Sequence, residues 1–212
     1  MSLVAGTVDA GAVSLTWRLD SPAAEVWRHL TSVEHLPEWL GRPRSGGFTS
    51  GDKLVVDHGD GYLCTSHIGT VEPGRALDLT WQFPDEPLTH LTLTVETAAA
   101  ESDESAGRSH LHLHHAGLGD LTASYLPGWI THLTYLEGSL ETAPLPLSAF
   151  WSLYQTIERL TLAHSPDLPR QQAVDRPRQN FLLSLHETMT EAGGVDLRVA
   201  PRTDQPRPVD LS

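Results

Sequence analysis

From Lys53 to His115 the chain is a succession of short runs in which apolar and polar residues alternate, most of them closed by Gly, Pro or Asp. "KLVVDH" (53–58) ends in GDG, "YLCTSHIGTV" (62–71) in EPG and "RALDLTWQF" (75–83) in PDEP. "LTHLTLTVET" (88–97) and "RSHLHLHH" (108–115) complete the series. A period of two with turn residues between the runs predicts antiparallel strands joined by hairpins. Residues two apart share a face, so such a sheet has one apolar side that another element has to cover. An earlier run, "VSLTWRL", alternates as strictly and puts Val13, Leu15, Trp17 and Leu19 together.

Segments of helical period supply the cover. "DSPAAEVWRHLTSVEHLPEWLG" predicts two short helices. Asp20 or Ser21 is expected to cap the first, Pro22 suits its first turn, and Val26, Trp27 and Leu30 form its stripe. Ser32 is expected to cap the second, which carries Leu36, Trp39 and Leu40 and ends at Gly41. After the last strand, Trp129, Leu133, Leu136 and Leu140 recur at helical steps and mark a long amphipathic helix in "WITHLTYLEGSLE". Pro144 and Pro146 end it, and "LSAFWSLYQTIERLTLAH" (147–164) reads as a further helix. The fold class that follows is α+β: a curved antiparallel sheet wrapped around a long C-terminal helix, with two short helices after the first strand. Residues 1–11 form an N-terminal extension, 12–164 the domain, and 165–212 a C-terminal extension. That extension consists of a Pro/Arg/Gln-rich linker, a short helix at 180–192 and a disordered tail. The apolar face Phe181, Leu185 and Met189 of the short helix needs burial, either on its own domain or in a homodimer.

The charge narrows the partners. Against 27 acidic residues stand 14 basic ones, a net charge of −13, which disfavours nucleic acid and anionic membranes. No apolar run approaches the roughly 20 residues that span a bilayer. The start "MSLVAGTVDAGAV" has no signal-peptide pattern, and a single cysteine, Cys64, allows no internal disulfide. A cytoplasmic protein is expected. No cofactor or metal is expected either: "SGGF" lacks the Lys-Ser/Thr of phosphate loops, and the acidic residues 101–104 read as a solvated loop.

Four of the twelve histidines lie between 110 and 115. If Leu111 and Leu113 face the core, His110, His112 and His114 face water, and His115 alone points inward. Outward pairs two apart on a strand could chelate zinc with a third ligand from His67 or His90, but a solvated stripe is the plainer expectation. A sheet curled around a helix leaves a cleft that suits a small ligand. Its candidate lining is His115, His58, Tyr62, Cys64 and Ser66 as a polar patch, with Trp81, Leu113, Trp129, Leu133 and Leu136 as apolar walls. His115 is more simply a hydrogen-bonded core histidine, and Cys64 a small apolar side chain. No residue is assigned a catalytic role.

Several strings in this order resemble the SRPBCC or START-like helix-grip superfamily, and within it the bacterial family named for the activator of the heat-shock-protein-90 ATPase. They are "SPAAEVWRHLTSVEHLPEWL", "SGGF", "GTVEPGRALDLTW", "HLHLHHAGL" and "GWITHLTYLEGSL", with "FWSLYQTIE" after them. The resemblance covers about residues 12–160. It implies a helix-grip fold, and functions that range over hydrophobic-ligand carriage, polyketide cyclisation or aromatisation, and co-chaperone interaction. Fold alone does not choose among them. The first expectation is a carrier of a small hydrophobic molecule without turnover. The second is a cyclase-type enzyme using His115, His58 or Tyr62, and the third is a protein-interaction module.

Overall fold

A computed structural model describes residues 3–9, 11–98 and 107–164. The acidic loop at 101–104, the helix expected at 180–192 and the tail lie outside the described residues. The strands are β1 (Leu3–Asp9), β2 (Ala12–Leu19), β3 (Arg42–Ser45), β4 (Lys53–Asp57), β5 (Leu63–Glu72), β6 (Ala76–Trp81), β7 (Thr89–Thr97) and β8 (Ser109–Ala116). The helices are α1 (Ala23–Thr31), α2 (Leu36–Trp39), α3 (Thr122–Leu140) and α4 (Phe150–His164). The strands form one sheet in the order β1-β2-β8-β7-β6-β5-β4-β3. Each neighbouring pair is antiparallel. Through α1 and α2 the chain leaves β2 and reaches β3 at the far edge. It then meanders back until β8 docks on β2.

The alternation of the sequence becomes cross-strand rows. Leu15, Leu113, Leu93 and Leu77 stand in register across four strands, and all are buried. The next row runs Val13, His115, Leu91, Leu79 and Ile68, also buried. This face is covered by α3, whose Trp129, Leu133 and Leu136 are 0–3% exposed. The outer side of α3 meets α4, where Phe150 packs 4.8 Å from the His132 ring and 5.3 Å from Tyr135.

The structure departs from the sequence expectation in four places. Leu3–Asp9 is an edge strand rather than a plain extension; nearly all of it is exposed, so it leaves no alternating pattern to read. "RPRS" is a strand too, at the opposite edge, where a proline costs no central ladder bond. Helix α3 begins at Thr122, ahead of Pro127. Pro127 forfeits one early backbone bond, and burial of both Leu126 and Pro127 outweighs it. Finally, the expected caps do not cap. Position N-cap is Pro22 in α1 and His35 in α2, neither with a side-chain bond. Asp20 instead pairs with Arg108 at 3.0 Å, the Ser21 carbonyl accepts from the Ser109 hydroxyl, and the Ser32 hydroxyl accepts from the Glu34 N–H.

If the rows and α3 form one core, Leu133→Ala should lower the unfolding free energy by about 2–5 kcal/mol. His114→Ser, on the outer face, should change it by no more than about 0.5 kcal/mol. Urea denaturation of the two variants checks both values.

Candidate functional site

The parity of β8 sorts its histidines. His114 is exposed and His110 and His112 are half-buried on the outer face, where Nδ1 of His112 and of His114 meet the hydroxyls of Thr16 (3.1 Å) and Ser14 (2.8 Å) on β2. His90 pairs in register with Ala116 on the neighbouring strand, while His67 lies two strands farther away beside Lys53. Among the described residues, the outer stripe gathers no three ligand atoms within reach of one cation.

His115 is fully buried, and both its nitrogens are taken. The Trp129 indole, which can only donate, gives its N–H to Nδ1 at 2.9 Å. A neutral ring then carries its hydrogen on Nε2, which donates to the Thr89 hydroxyl at 2.8 Å. That hydroxyl donates in turn to the Trp81 carbonyl at 2.9 Å. This chain ties β6, β7, β8 and α3 together with every polar atom satisfied. Burial makes the imidazolium unfavourable and pulls the His115 pKa down to about 3.

Beside this network lies a cavity of about 20 Å³, walled by Leu30 of α1, Trp39 of α2, Phe48, Trp129 and the inner faces of β4 to β7. Of the residues expected to line a ligand cleft, Cys64, Ser66, Trp81 and Trp129 are on its wall. Leu113, Leu133 and Leu136 pack in the core outside it, and His115 is not on the wall but bonded to Trp129, which is. Tyr62 is stacked on Phe83 at 4.3 Å, with burial pushing its hydroxyl up to about 12. Burial also raises Cys64 to about 12, so its sulfur stays a thiol and is no nucleophile at neutral pH. The walls Leu30 and Trp39 follow from the helical stripes, but the part played by Phe48 has no signal in the sequence. Phe48 sits on the β3–β4 loop, which turns at Gly46 with φ +84°. A side chain there would meet the Lys53 carbonyl at 2.0 Å, so only glycine fits.

Around Trp81 lies a polar cluster whose other members, His58 among them, are not on the cavity wall. His58 lies edge-on to Trp81 (5.4 Å), Phe83 (5.1 Å) and His132 (5.8 Å), and burial lowers its pKa to about 3. Nearby, the Tyr125 hydroxyl donates to the Glu86 carboxylate. Burial raises both groups; Glu86 raises Tyr125 further, while the neighbouring Trp81 N–H opposes the rise. Yet two buried atoms here, Trp81 Nε1 and His58 Nε2, make no well-formed hydrogen bond among the described residues, and the Tyr125 hydroxyl engages the Trp81 N–H only loosely.

An antiparallel sheet gripping a long helix, with a small apolar cavity between the layers, defines a helix-grip domain of the START-like class. The chain matches the family described as Activator of Hsp90 ATPase homolog 1-like protein over residues 20–136, more than half its length, and it belongs to that family. No curated protein matches it closely enough to count as a relative. Among solved structures it is similar to CalU16 from Micromonospora echinospora, at 22% identity and a TM-score of 0.57 over 72% of this chain and 86% of that one. It is similar to DynU16, described as a putative protein in the dynemicin biosynthetic locus, at 25% identity and a TM-score of 0.56. That alignment covers 64% of this chain and 49% of DynU16. A protein of unknown function from Enterococcus faecalis, EF2215, is 15% identical with a TM-score of 0.56 over 77% of this chain and 91% of its own. These likenesses establish the fold. Among the described residues, no helix is long and apolar enough to cross a membrane.

The buried imidazole makes stability depend on pH. An unfolded histidine titrates near 6.5, and folded His115 near 3. Between those values the unfolded chain takes up a proton that the folded chain refuses. Stability is therefore full above about pH 6.5 and is lost as the pH falls below it, by up to about 1.4 kcal/mol per pH unit for this residue. His115→Gln should remove this residue's share of the slope, leaving that of His58 and His132, whose pKa values burial lowers to about 3 and about 4, while lowering stability at pH 7. In the unaltered protein, the His115 ring resonances should not titrate between pH 8 and 5. Urea titrations at a series of pH values and ring-proton NMR check the two outcomes.

Proposed function

We propose that this chain is a cytoplasmic carrier that binds a small, mostly apolar molecule bearing one hydrogen-bond acceptor, between the sheet and α1–α3. The observation that carries this reading is the Trp81 indole N–H, buried on a residue of the apolar cavity's wall, with no well-formed hydrogen bond among the described residues and engaged only loosely by the Tyr125 hydroxyl. Native interiors seldom leave such a donor unmatched, and an acceptor placed there recovers about 1–3 kcal/mol. The lining is otherwise leucines, valine and aromatic rings with Ser66 and Cys64, the pattern of a site that binds by apolar contact and orients by a few polar atoms.

The volume sets a condition. About 20 Å³ holds little more than a water molecule, whereas typical ligand sites enclose roughly 300–1,000 Å³. A ligand therefore binds a more open state, and the energy of opening reduces the apparent affinity. Phe48, half-buried on its glycine-turned loop, is a wall residue outside the strands and helices. Binding without turnover is favoured because His115 has both nitrogens committed and Cys64 remains protonated. DynU16 is described as belonging to a biosynthetic locus, a setting in which small organic molecules are the chemistry at hand.

Native mass spectrometry of protein purified from its source organism should show a retained small molecule, and an environment-sensitive apolar dye should bind with 1:1 stoichiometry. Phe48→Ala should strengthen dye binding. Trp81→Phe should leave stability within about 1 kcal/mol, because it removes an unmatched donor, yet weaken an acceptor-bearing ligand about five- to tenfold. A protein that carries no ligand and binds no dye, even with Phe48→Ala, sinks the proposal.

A further inference from the structure

Outside the cavity, the α1–α2 corner gathers two imidazoles and a carboxylate. His29 lies in the last turn of α1, His35 precedes α2 and Glu38 lies within it. One ligand atom from each lies within 4.8 Å of the other two. The rings of His29 and His35 stack at 4.0 Å. His29 is buried, while His35 and Glu38 are partly open to solvent.

We propose that His29, His35 and Glu38 bind a divalent transition cation of the zinc type. Three features carry this. First, two imidazoles and one carboxylate are a ligand set that zinc takes, with a fourth position left to water. Bond lengths of about 2.0–2.2 Å put tetrahedral ligand atoms roughly 3.5 Å apart; a shared ion must also lie in both ring planes, so the stacked imidazoles of His29 and His35 have to rotate as well as draw together for their lone pairs to converge. Second, the outer supports are in place. His29 Nδ1 donates to the Glu25 carbonyl at 3.0 Å, which leaves the lone pair on Nε2, and the Ser139 hydroxyl donates to the Glu38 carboxylate. Metal-binding histidines characteristically have their second nitrogen held this way. Third, His35 Nδ1 is buried with no hydrogen-bond partner among the described residues. It sits 3.6 Å from Glu38 Oε1, too far for a hydrogen bond and suited to sharing a cation.

One group works against the cation. The Arg28 guanidinium donates to His35 Nε2 and also pairs with Glu25. A metal on Nδ1 puts the ring hydrogen on Nε2, so Arg28 has to let go of it. Its side chain is 52% exposed, and Glu25 still holds it. The cation would then clamp α1 to α2, whose Leu30 and Trp39 wall the cavity.

Calorimetric titration of the full chain with Zn²⁺ tests the site. One equivalent should bind with a dissociation constant on the order of 1 μM or tighter. Bound Co²⁺ should show the visible absorption of a four-coordinate site, and Zn²⁺ should raise the thermal midpoint. His29→Gln, His35→Gln and the solvent-accessible Glu38→Gln should each weaken binding at least tenfold, with circular dichroism confirming the fold. Replacing His110, His112 and His114 together by Gln should leave the affinity unchanged, and Arg28→Gln should tighten it several-fold. No binding by the unaltered chain, or binding lost with the outer stripe and kept in all three site variants, overturns the proposal.

Discussion

The hydrogen bond from the Trp129 indole to His115 is the contact on which the arrangement of sheet and helix depends. His115 occupies a row that is otherwise apolar, between Val13 and Leu91. An imidazole there without partners would cost about 1–3 kcal/mol for each unmatched nitrogen. With Thr89 on one side and Trp129 on the other, it becomes a satisfied link instead. Apolar packing alone tolerates a helix sliding over a sheet. A buried donor and acceptor that must meet select one docking of α3. The cavity takes its width from that docking, because Trp129 is both the donor to His115 and part of the wall.

The same network reaches Trp81 and stops halfway. The Trp81 carbonyl accepts the last hydrogen bond of the chain from Thr89, so its backbone is fixed. Its indole N–H makes no well-formed hydrogen bond among the described residues. The interior thus divides into an end where every polar atom is matched and an end, around His58 and Trp81, where two are not. The first end accounts for a rigid fold; the second suggests where something else belongs. Membership of the Activator of Hsp90 ATPase homolog 1-like family sets the framework for this division without naming a ligand.

Much of the fold was legible in the sequence because alternation and helical spacing report burial directly. The inward turn of His115 and the outward turn of its three neighbours followed from counting parity on β8. What escaped had little burial to report. Strand β1 pairs through backbone with its side chains in water, and β3 is four polar or proline residues at an edge. The start of α3 was hidden by Pro127, whose local preference is overruled by tertiary packing. The site was legible in part. Residue types named Cys64, Ser66, Trp81 and Trp129, but whether a buried ring faces a cavity or a neighbour depends on long-range contacts. Phe48 and Leu133 look alike in sequence, yet one lines the space and the other packs outside it. His29 carries no ligand signal in the sequence, because its partners, His35 and Glu38, come together with it only through the turn between α1 and α2.

The most direct test of the account is the NMR spectrum of the six tryptophan indole N–H groups, recorded while a small apolar ketone is added. The account predicts that the Trp81 signal moves as its N–H gains an acceptor, while the Trp129 signal, already held by His115, stays in place. A spectrum in which Trp81 does not move, or in which Trp129 moves instead, contradicts it.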